Sequence, residues 1–326
     1  MPMTALAPGG PQVSRIGLGL AALGRPAYIT AGRDADLPDR SVAGMRARTF
    51  AVLDAAYAAG IRYFDAARSY GRAEEFLGGW LGVRGYPDAV AGSKWGYRYT
   101  GDWRLDAEQH EIKDHSLAMF TTQLGQSRAL LGDRLALYQV HSLTPESGVL
   151  GDRDLLLALR RLRAEGVLIG LTTSGPAQAD TLYRALETTV DGQPLFSAAQ
   201  VTWNLLEPSV APAAAAAAAA GWTVLVKEAL ANGRLAPGGD LRDDADPAAS
   251  LARLAVLAAD QNVTLDAVAL GAALANPWAA VVLSGAVTAQ QVRGNLTALT
   301  AGDLAGLDLA EAPDSYWSAR SARSWQ

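Results

Sequence analysis

The feature that most narrows what this chain can fold into is a series of short apolar runs, each followed by a longer stretch of helical pattern. Eight such runs, rich in Val, Ile and Leu, lie near 13–20, 61–65, 88–94, 135–141, 167–173, 198–203, 222–227 and 279–284. A strand that is apolar throughout must be covered on both faces, and helices placed between parallel strands supply that cover. The helix ends are readable: Ala43 to Ala59 stops at Gly60, and Asp152 to Ala164 turns Leu155, Leu156, Leu159 and Leu162 to one side before Gly166. Ala213 to Ala220 reads as a crossover helix whose methyl surface suits close packing on a sheet. Eight strand–helix units in 326 residues, of which 50% are hydrophobic, fit a closed (β/α)8 barrel of the TIM class. No Pro- or Ser-rich linker divides the chain, so a single domain over 1–326 is expected.

Composition removes several function classes. A net charge of −5 and the lack of a long Lys or Arg run argue against nucleic acid as a partner. With no cysteine, disulfides, thiolate nucleophiles and Cys-ligated zinc drop out. The N-terminus lacks the basic start and apolar core of a signal peptide, and no uninterrupted apolar span reaches the ~20 residues of a membrane helix. A cytoplasmic chain without a membrane partner is the expectation; oligomeric state is not specified.

Three consecutive runs end in an ionisable residue, Asp65, Lys94 and His141, and Tyr70 follows shortly after the first. In (β/α)8 barrels the C-terminal strand ends carry the chemistry. A phenol with an ordinary pKa of about 10 needs help to exchange a proton near neutrality. Lys94 is expected to pull the Tyr70 pKa down, Asp65 to keep Lys94 charged, and His141 to hydrogen-bond the reacting oxygen or relay a proton. A tunable proton donor with no nucleophile suits reduction of a carbonyl or oxidation of an alcohol, and the hydride must come from a nicotinamide or comparable cofactor.

The long connections Ala21 to about Val42 and Trp95 to about Lys113 leave the same face. Their Tyr28, Trp95, Tyr97 and Trp103, with Tyr99, read as an aromatic wall around a substrate pocket, or else as rings pinning the loops to the rim. His110 and His115 fall in a charged stretch that reads as a solvated helix start, so no metal is expected. Asp243, Asp244 and Asp246 read as a solvated loop.

On these residues the chain resembles the aldo-keto reductases. The matching pieces are Phe64-Asp65-Ala-Ala-Arg-Ser-Tyr70-Gly with Glu74, Ser93-Lys94-Trp-Gly, Leu137-Tyr-Gln-Val-His141-Ser and Gln200-Val-Thr-Trp-Asn204-Leu-Leu-Glu-Pro. The resemblance implies a barrel that binds NADPH, with NADH possible, reduces a small-molecule aldehyde, ketone or sugar-like carbonyl, and uses Tyr70 as general acid. It implies that Gln200 contacts the nicotinamide carboxamide. The family's Gly-Val-Ser-Asn is here Gly170-Leu-Thr172-Thr173, whose hydroxyls would serve instead. Where the family has Tyr-Ser-Pro-Leu-Gly this chain has Lys227-Glu228-Ala-Leu-Ala-Asn232-Gly233-Arg234, which replaces a stacking ring with an aliphatic stem and offers Asn232 and Arg234 near the pyrophosphate. Ser284, Gly285, Gln291 and Asn295 match the segment that grips the adenosine. Gly285, Val287 and Gln291 are uncharged where many members carry Lys or Arg, and Arg293 is the cation available to compensate.

Other readings compete less well. In Gly17-Leu-Gly19-Leu-Ala-Ala-Leu-Gly24 the third glycine is misplaced for a dinucleotide fingerprint of the Rossmann type, and no tyrosine has a lysine four residues on, as short-chain dehydrogenases require. A Schiff-base lyase using Lys94 is opposed by Asp65, which would keep the amine protonated. A non-catalytic dinucleotide-binding barrel acting as sensor or subunit remains the alternative from a different class.

Overall fold

The eight apolar runs form one closed parallel barrel in the computed structural model, which describes residues 1–29, 33–237, 239, 247–302, 307 and 309–325. In chain order the strands are β1 (Ile16–Gly19), β2 (Tyr63–Asp65), β3 (Val90–Trp95), β4 (Leu135–Leu143), β5 (Leu168–Thr173), β6 (Ala198–Thr202), β7 (Thr223–Lys227) and β8 (Val281–Ser284). Each pairs with its neighbour in sequence, and β8 closes on β1 through Ser284 opposite Leu18. The register sets Gly19 beside Asp65, Asp65 beside Gly92, and Lys94 beside Gln139. The ionisable strand ends therefore share one rim.

The first run is split. Gln12–Ser14 pairs with Met3–Ala5 as an antiparallel hairpin, and only Ile16–Gly19 enters the barrel. Leu6 and Val13 of this hairpin region pack with Tyr63, Val90, Leu137, Leu225 and Val281, closing the barrel end opposite the strand C-termini. Thr223 Oγ1 donates to the Leu6 carbonyl, so the plug is tied by a hydrogen bond as well as by apolar contact.

Outside the barrel the helices follow the expected pattern. Val42–Ala58 begins at Ser41, whose side chain accepts from Gly44 N at 3.0 Å, and Arg153–Ala164 begins at Asp152, which accepts from Leu155 N at 3.1 Å. Leu155, Leu156, Leu159 and Leu162 are buried, as are Ala213, Ala214 and Ala217 of the helix Ala211–Ala219. Leu265–Leu274 packs on β8 and on the helix Ala289–Leu296. Among the described residues no single helix is long and apolar enough to cross a membrane.

The second long loop is a hairpin of Tyr97–Tyr99 with Glu111–Lys113, so 111–113 is strand, and the helix starts just beyond it, at Ser116, which caps Leu117–Leu131. His110 is buried and stacks on Trp325 with centroids 4.4 Å apart. His115 Nε2 donates to the His141 carbonyl, 2.8 Å away. Both histidines are packing residues, and among the described residues no His, Asp or Glu group is arranged to hold a metal. Asp243, Asp244 and Asp246 lie outside the described residues.

Candidate active site

Alternation along the strands decides which side chains face the barrel axis. Tyr63 and Asp65, Gly92 and Lys94, and Gln139 and His141 are such pairs, and the residue in each pair nearer the strand end lies at the rim. The Lys94 side chain is fully buried and its Nζ donates to Asp65 Oδ2 and to the Ala66 carbonyl, the latter at 2.9 Å. Asp65 Oδ1 accepts from Gln200 Nε2 at 2.9 Å and from the Tyr63 hydroxyl at 3.3 Å. Both carboxylate oxygens are thus taken by donors of the barrel interior.

Tyr70 is placed by a tight turn rather than by a strand. Its N–H donates to the Ala67 carbonyl at 3.1 Å, and Gly71 follows with φ 58°. A Cβ on Gly24 would lie 2.3 Å from the Tyr70 carbonyl oxygen, and one on Gly71 would lie 2.5 Å from the Gly24 carbonyl oxygen. Glycine at both positions lets the loop after β1 press against this turn. The turn sets the Tyr70 ring with its centroid 4.7 Å from Lys94 Nζ and 5.5 Å from the His141 ring. His141 Nδ1 lies 3.4 Å from the Ser69 hydroxyl.

Glu74 holds this assembly from behind. Its carboxylate accepts from Ser93 Oγ at 2.5 Å, from Ser127 Oγ at 2.7 Å and from Arg68 at 2.5 Å, tying the helix Ala73–Arg84 to the residue before Lys94.

The electrostatics differ from the sequence-based expectation. Burial and the Asp65 carboxylate push the Tyr70 phenol above its ordinary value, with Arg25 pulling the other way. Burial likewise lowers Lys94 from its ordinary value, with Asp65 opposing. In this site burial and Asp65 outweigh the pull of Arg25, so the phenol stays protonated. Burial, then the cations Lys94, Arg25 and Lys227, hold His141 far below its ordinary range, and it is neutral.

These groups open into a cavity of about 670 Å³ that runs from Tyr70 and His141 past Lys227 and Asn232 to Ser284, Gly285, Gln291 and Asn295. Tyr28 lines it, with the Arg25 guanidinium 4.8 Å from the Tyr28 centroid, 5.0 Å from Tyr70 and 4.6 Å from Trp325. Arg25 donates to Glu111 at 2.9 Å and to the Ser69 carbonyl at 3.1 Å. Tyr97 stands beside the lining, its ring 5.0 Å from His141. Trp95 and Trp103 do not belong to the wall. Trp95 is fully buried against Phe120 and His115, and Trp103 packs on Phe76 and donates its indole N–H to the Arg40 carbonyl at 2.8 Å.

Several residues offered for a cofactor are engaged elsewhere. Thr172 Oγ1 accepts from Ser142 N at 2.7 Å, and Thr173 donates to Gln178 at 3.2 Å; neither lines the cavity. Arg234 lines it but is buried and paired with Glu311, with one contact at 3.0 Å. Arg293 is exposed and outside the lining. Lys227 Nζ donates to Thr202 Oγ1 and stands 3.5 Å from Glu228. Burial lowers its pKa to about 8, against the pull of Glu228. Glu228 has a φ of 57° and accepts two hydrogen bonds from Arg320 at 2.6 and 2.7 Å. Burial works against its charge, yet Arg320 and Lys227 bring its pKa down to about 2. Arg25, Glu111, Glu228, Arg320 and Trp325 were not anticipated, because sequence-distant loops and the C-terminal segment bring them to the mouth.

The cavity suits a nicotinamide dinucleotide. A Cβ on Gly285 would meet nothing within 4 Å, so the backbone there borders open space. Two buried acceptors on the lining, Asn232 Oδ1 and Asp266 Oδ1, have no hydrogen-bond partner among the described residues. A ligand that brings hydroxyl or amide donors would satisfy them.

Fold comparison agrees with this geometry. The aldo-keto reductase AKR11C1 from Bacillus halodurans, in its holo form, is 21% identical with a TM-score of 0.71, over 98% of this chain and 96% of that one. Two aldo-keto reductase structures from Pseudomonas aeruginosa are 24% and 25% identical, with TM-scores of 0.63 and 0.62, over 91% of this chain and 94% and 95% of theirs. A comparison with curated protein sequences returned no match. Residues 15–310 match the family described as the Aldo/keto reductase family. A closed barrel with Asp65, Lys94, His141 and Tyr70 at one rim, matched over nearly its whole length, makes this chain a member of the aldo/keto reductase family and an oxidoreductase of that kind.

Proposed function

We propose that the protein reduces a small aldehyde, ketone or sugar-like carbonyl to the alcohol with a nicotinamide dinucleotide, and that Tyr70 donates the proton. The observation that carries this reading is the Tyr70 ring held over the buried Lys94–Asp65 pair, with neutral His141 beside it, at the open end of the cavity. When bound, the reduced nicotinamide supplies the hydride. The substrate oxygen lies against the Tyr70 hydroxyl and the His141 ring. As negative charge develops on that oxygen, the Tyr70 O–H bond breaks and the proton passes to it, leaving a phenolate that the Lys94 cation stabilises at short range. Asp65 keeps the ammonium in place without touching substrate. Tyr70 is protonated throughout the neutral range, and because burial weakens it as an acid, it gives up the proton only as charge builds on the substrate oxygen beside the Lys94 cation.

Gln200, Asn232, Ser284, Gly285, Gln291 and Asn295 would hold the dinucleotide, and the Lys227 stem would cover part of it. Tyr28 and Arg25, with Trp325 behind them, would border the substrate. The test is the variant Tyr70→Phe. Turnover, followed by nicotinamide absorbance with an aldehyde panel, should fall by about 10²–10⁴-fold. Dinucleotide binding followed by protein fluorescence should change by less than about twofold, an energy small against the ~1.4 kcal/mol of a tenfold change. Turnover at the wild-type rate in that variant would exclude Tyr70 as the donor.

A further inference from the structure

The two ends of the cavity differ in how their charges are balanced. Near Tyr70 the cations Arg25 and Arg320 are paired with Glu111 and Glu228, which line the same end, whereas beyond β8 the lining includes the carboxylates Asp36 and Asp266. Asp36 ends the short helix Arg33–Asp36 in the loop after β1, and its carboxylate accepts from Gln291 Nε2 at 2.7 Å. Gln291 is fixed on its other side, because its Oε1 accepts from Val287 N at 2.8 Å. The amide therefore has one carboxylate and one N–H as partners.

Asp266 lies on the helix Leu265–Leu274 and is 9% exposed. With the Asn295 amide turned so that its oxygen accepts from Ser284 Oγ, the amide nitrogen donates to Asp266 Oδ2. Oδ1 is buried and has no partner among the described residues. A buried carboxylate oxygen without a donor is costly, so this atom points to a donor brought by a ligand. On β8 and the turn and helix after it, the lining residues Gly285, Val287 and Gln291 offer no positive charge.

We infer that this acidic end reads the ribose of the adenosine half through its free hydroxyls and rejects a 2′-phosphate, so that NADH is bound in preference to NADPH. The inference rests on the reductase reading: a nicotinamide next to Tyr70 leaves the far end of the cavity to the adenosine. A ribose 2′-hydroxyl is a donor and supplies what Asp266 Oδ1 lacks. A phosphate monoester there brings about −1.5 to −2 charges near neutral pH and acceptor oxygens only. It would face two carboxylates in a partly enclosed site, where salt screens little.

The experiment measures binding without a substrate, by calorimetry and by quenching of tryptophan fluorescence on the full chain. NADH should bind at least ~10-fold more tightly than NADPH, which corresponds to about 1.4 kcal/mol. In competition, 5′-AMP should displace NADH and adenosine 2′,5′-bisphosphate should not, which isolates the adenosine end from the chemistry. The double variant Asp36→Asn with Asp266→Asn, shown to be folded by circular dichroism and its urea midpoint, should narrow the NADH-to-NADPH ratio to less than about threefold. NADPH binding as tightly as NADH in the unaltered protein would overturn the preference and leave the reductase reading standing. An unchanged ratio in the folded double variant would overturn the role given to these carboxylates. Binding of neither dinucleotide would overturn both readings.

Discussion

Asp65 accepts from Lys94, Gln200 and Tyr63 at once, and none of these contacts involves substrate. Its work is to compensate a buried ammonium and to orient it. Lys94→Met would leave the Asp65 carboxylate deep in the barrel with only neutral donors. Breaking one side of a buried pair costs about 3–5 kcal/mol, so the urea midpoint of Lys94→Met should fall accordingly, and Asp65→Asn added to it should restore part of the loss. A loss below about 1 kcal/mol would show that the pair does not carry this weight. The same strand geometry explains why Trp95 does not stand in the pocket wall. Side chains alternate in a strand, so Lys94 facing the axis sends Trp95 outward to the helices, and Asp65 facing the axis brings Tyr63 inward beneath it. That signal was present in the sequence. Trp103 offered none, since its position follows from a loop whose contacts with Phe76 and Arg40 are long-range.

At the scale of elements, the interior of the barrel is shaped by one ring. Tyr63 is fully buried, and the strands next to it carry Gly17 and Gly92 where any side chain would collide with it. A Cβ on Gly92 would lie 2.0 Å from the Tyr63 hydroxyl oxygen and 2.8 Å from Cζ. Gly92→Ala should therefore destabilise the fold by about 1–3 kcal/mol in urea unfolding, and adding Tyr63→Phe should relieve it in part by removing the nearer atom. If Gly92→Ala is as stable as the parent, β3 shifts more easily than this packing implies. Gly17, which looks like part of a phosphate-binding fingerprint in the sequence, has the same steric origin: its Cβ would lie 2.9 Å from Leu283 and 3.0 Å from Tyr63. Glu74 acts between elements, linking one helix to β3 through Ser93 and to the next helix, Leu117–Leu131, through Ser127.

Over the whole molecule, burial of weakly basic groups under the catalytic loops makes stability depend on pH. His115 has an imidazole pKa of about 4, against an ordinary 6.5, because burial disfavours its cation more than the hydrogen bond to the His141 carbonyl favours it. The unfolded chain thus binds the proton first as pH falls. Stability that is full above about pH 6.5 should decline toward pH 4, by about 3 kcal/mol from this group, with buried neutral His141 acting in the same direction. Urea midpoints measured across that range should show the decline, and His115→Gln should flatten it. An equally steep decline in His115→Gln would place its origin in other groups. The loop that carries His115 is also joined to the C-terminal segment, since Trp325 stacks on His110 beside it.

The order of apolar runs and helical segments was enough to determine the barrel, and with it the rim on which Asp65, Lys94 and His141 stand, because side-chain alternation and strand order are local properties repeated along the chain. The spacing of Tyr70 after Asp65 was legible for the same reason. What only the tertiary structure decided is what those residues meet. Desolvation, which raises Tyr70 and lowers Lys94 and His141, depends on everything packed around them. So does the pairing of Arg25 with Glu111, of Glu228 with Arg320 and of Gln291 with Asp36, contacts between segments 86, 92 and 255 residues apart. No local pattern encodes a neighbour at that distance, because the partner is chosen by the closure of the barrel and the path of its loops.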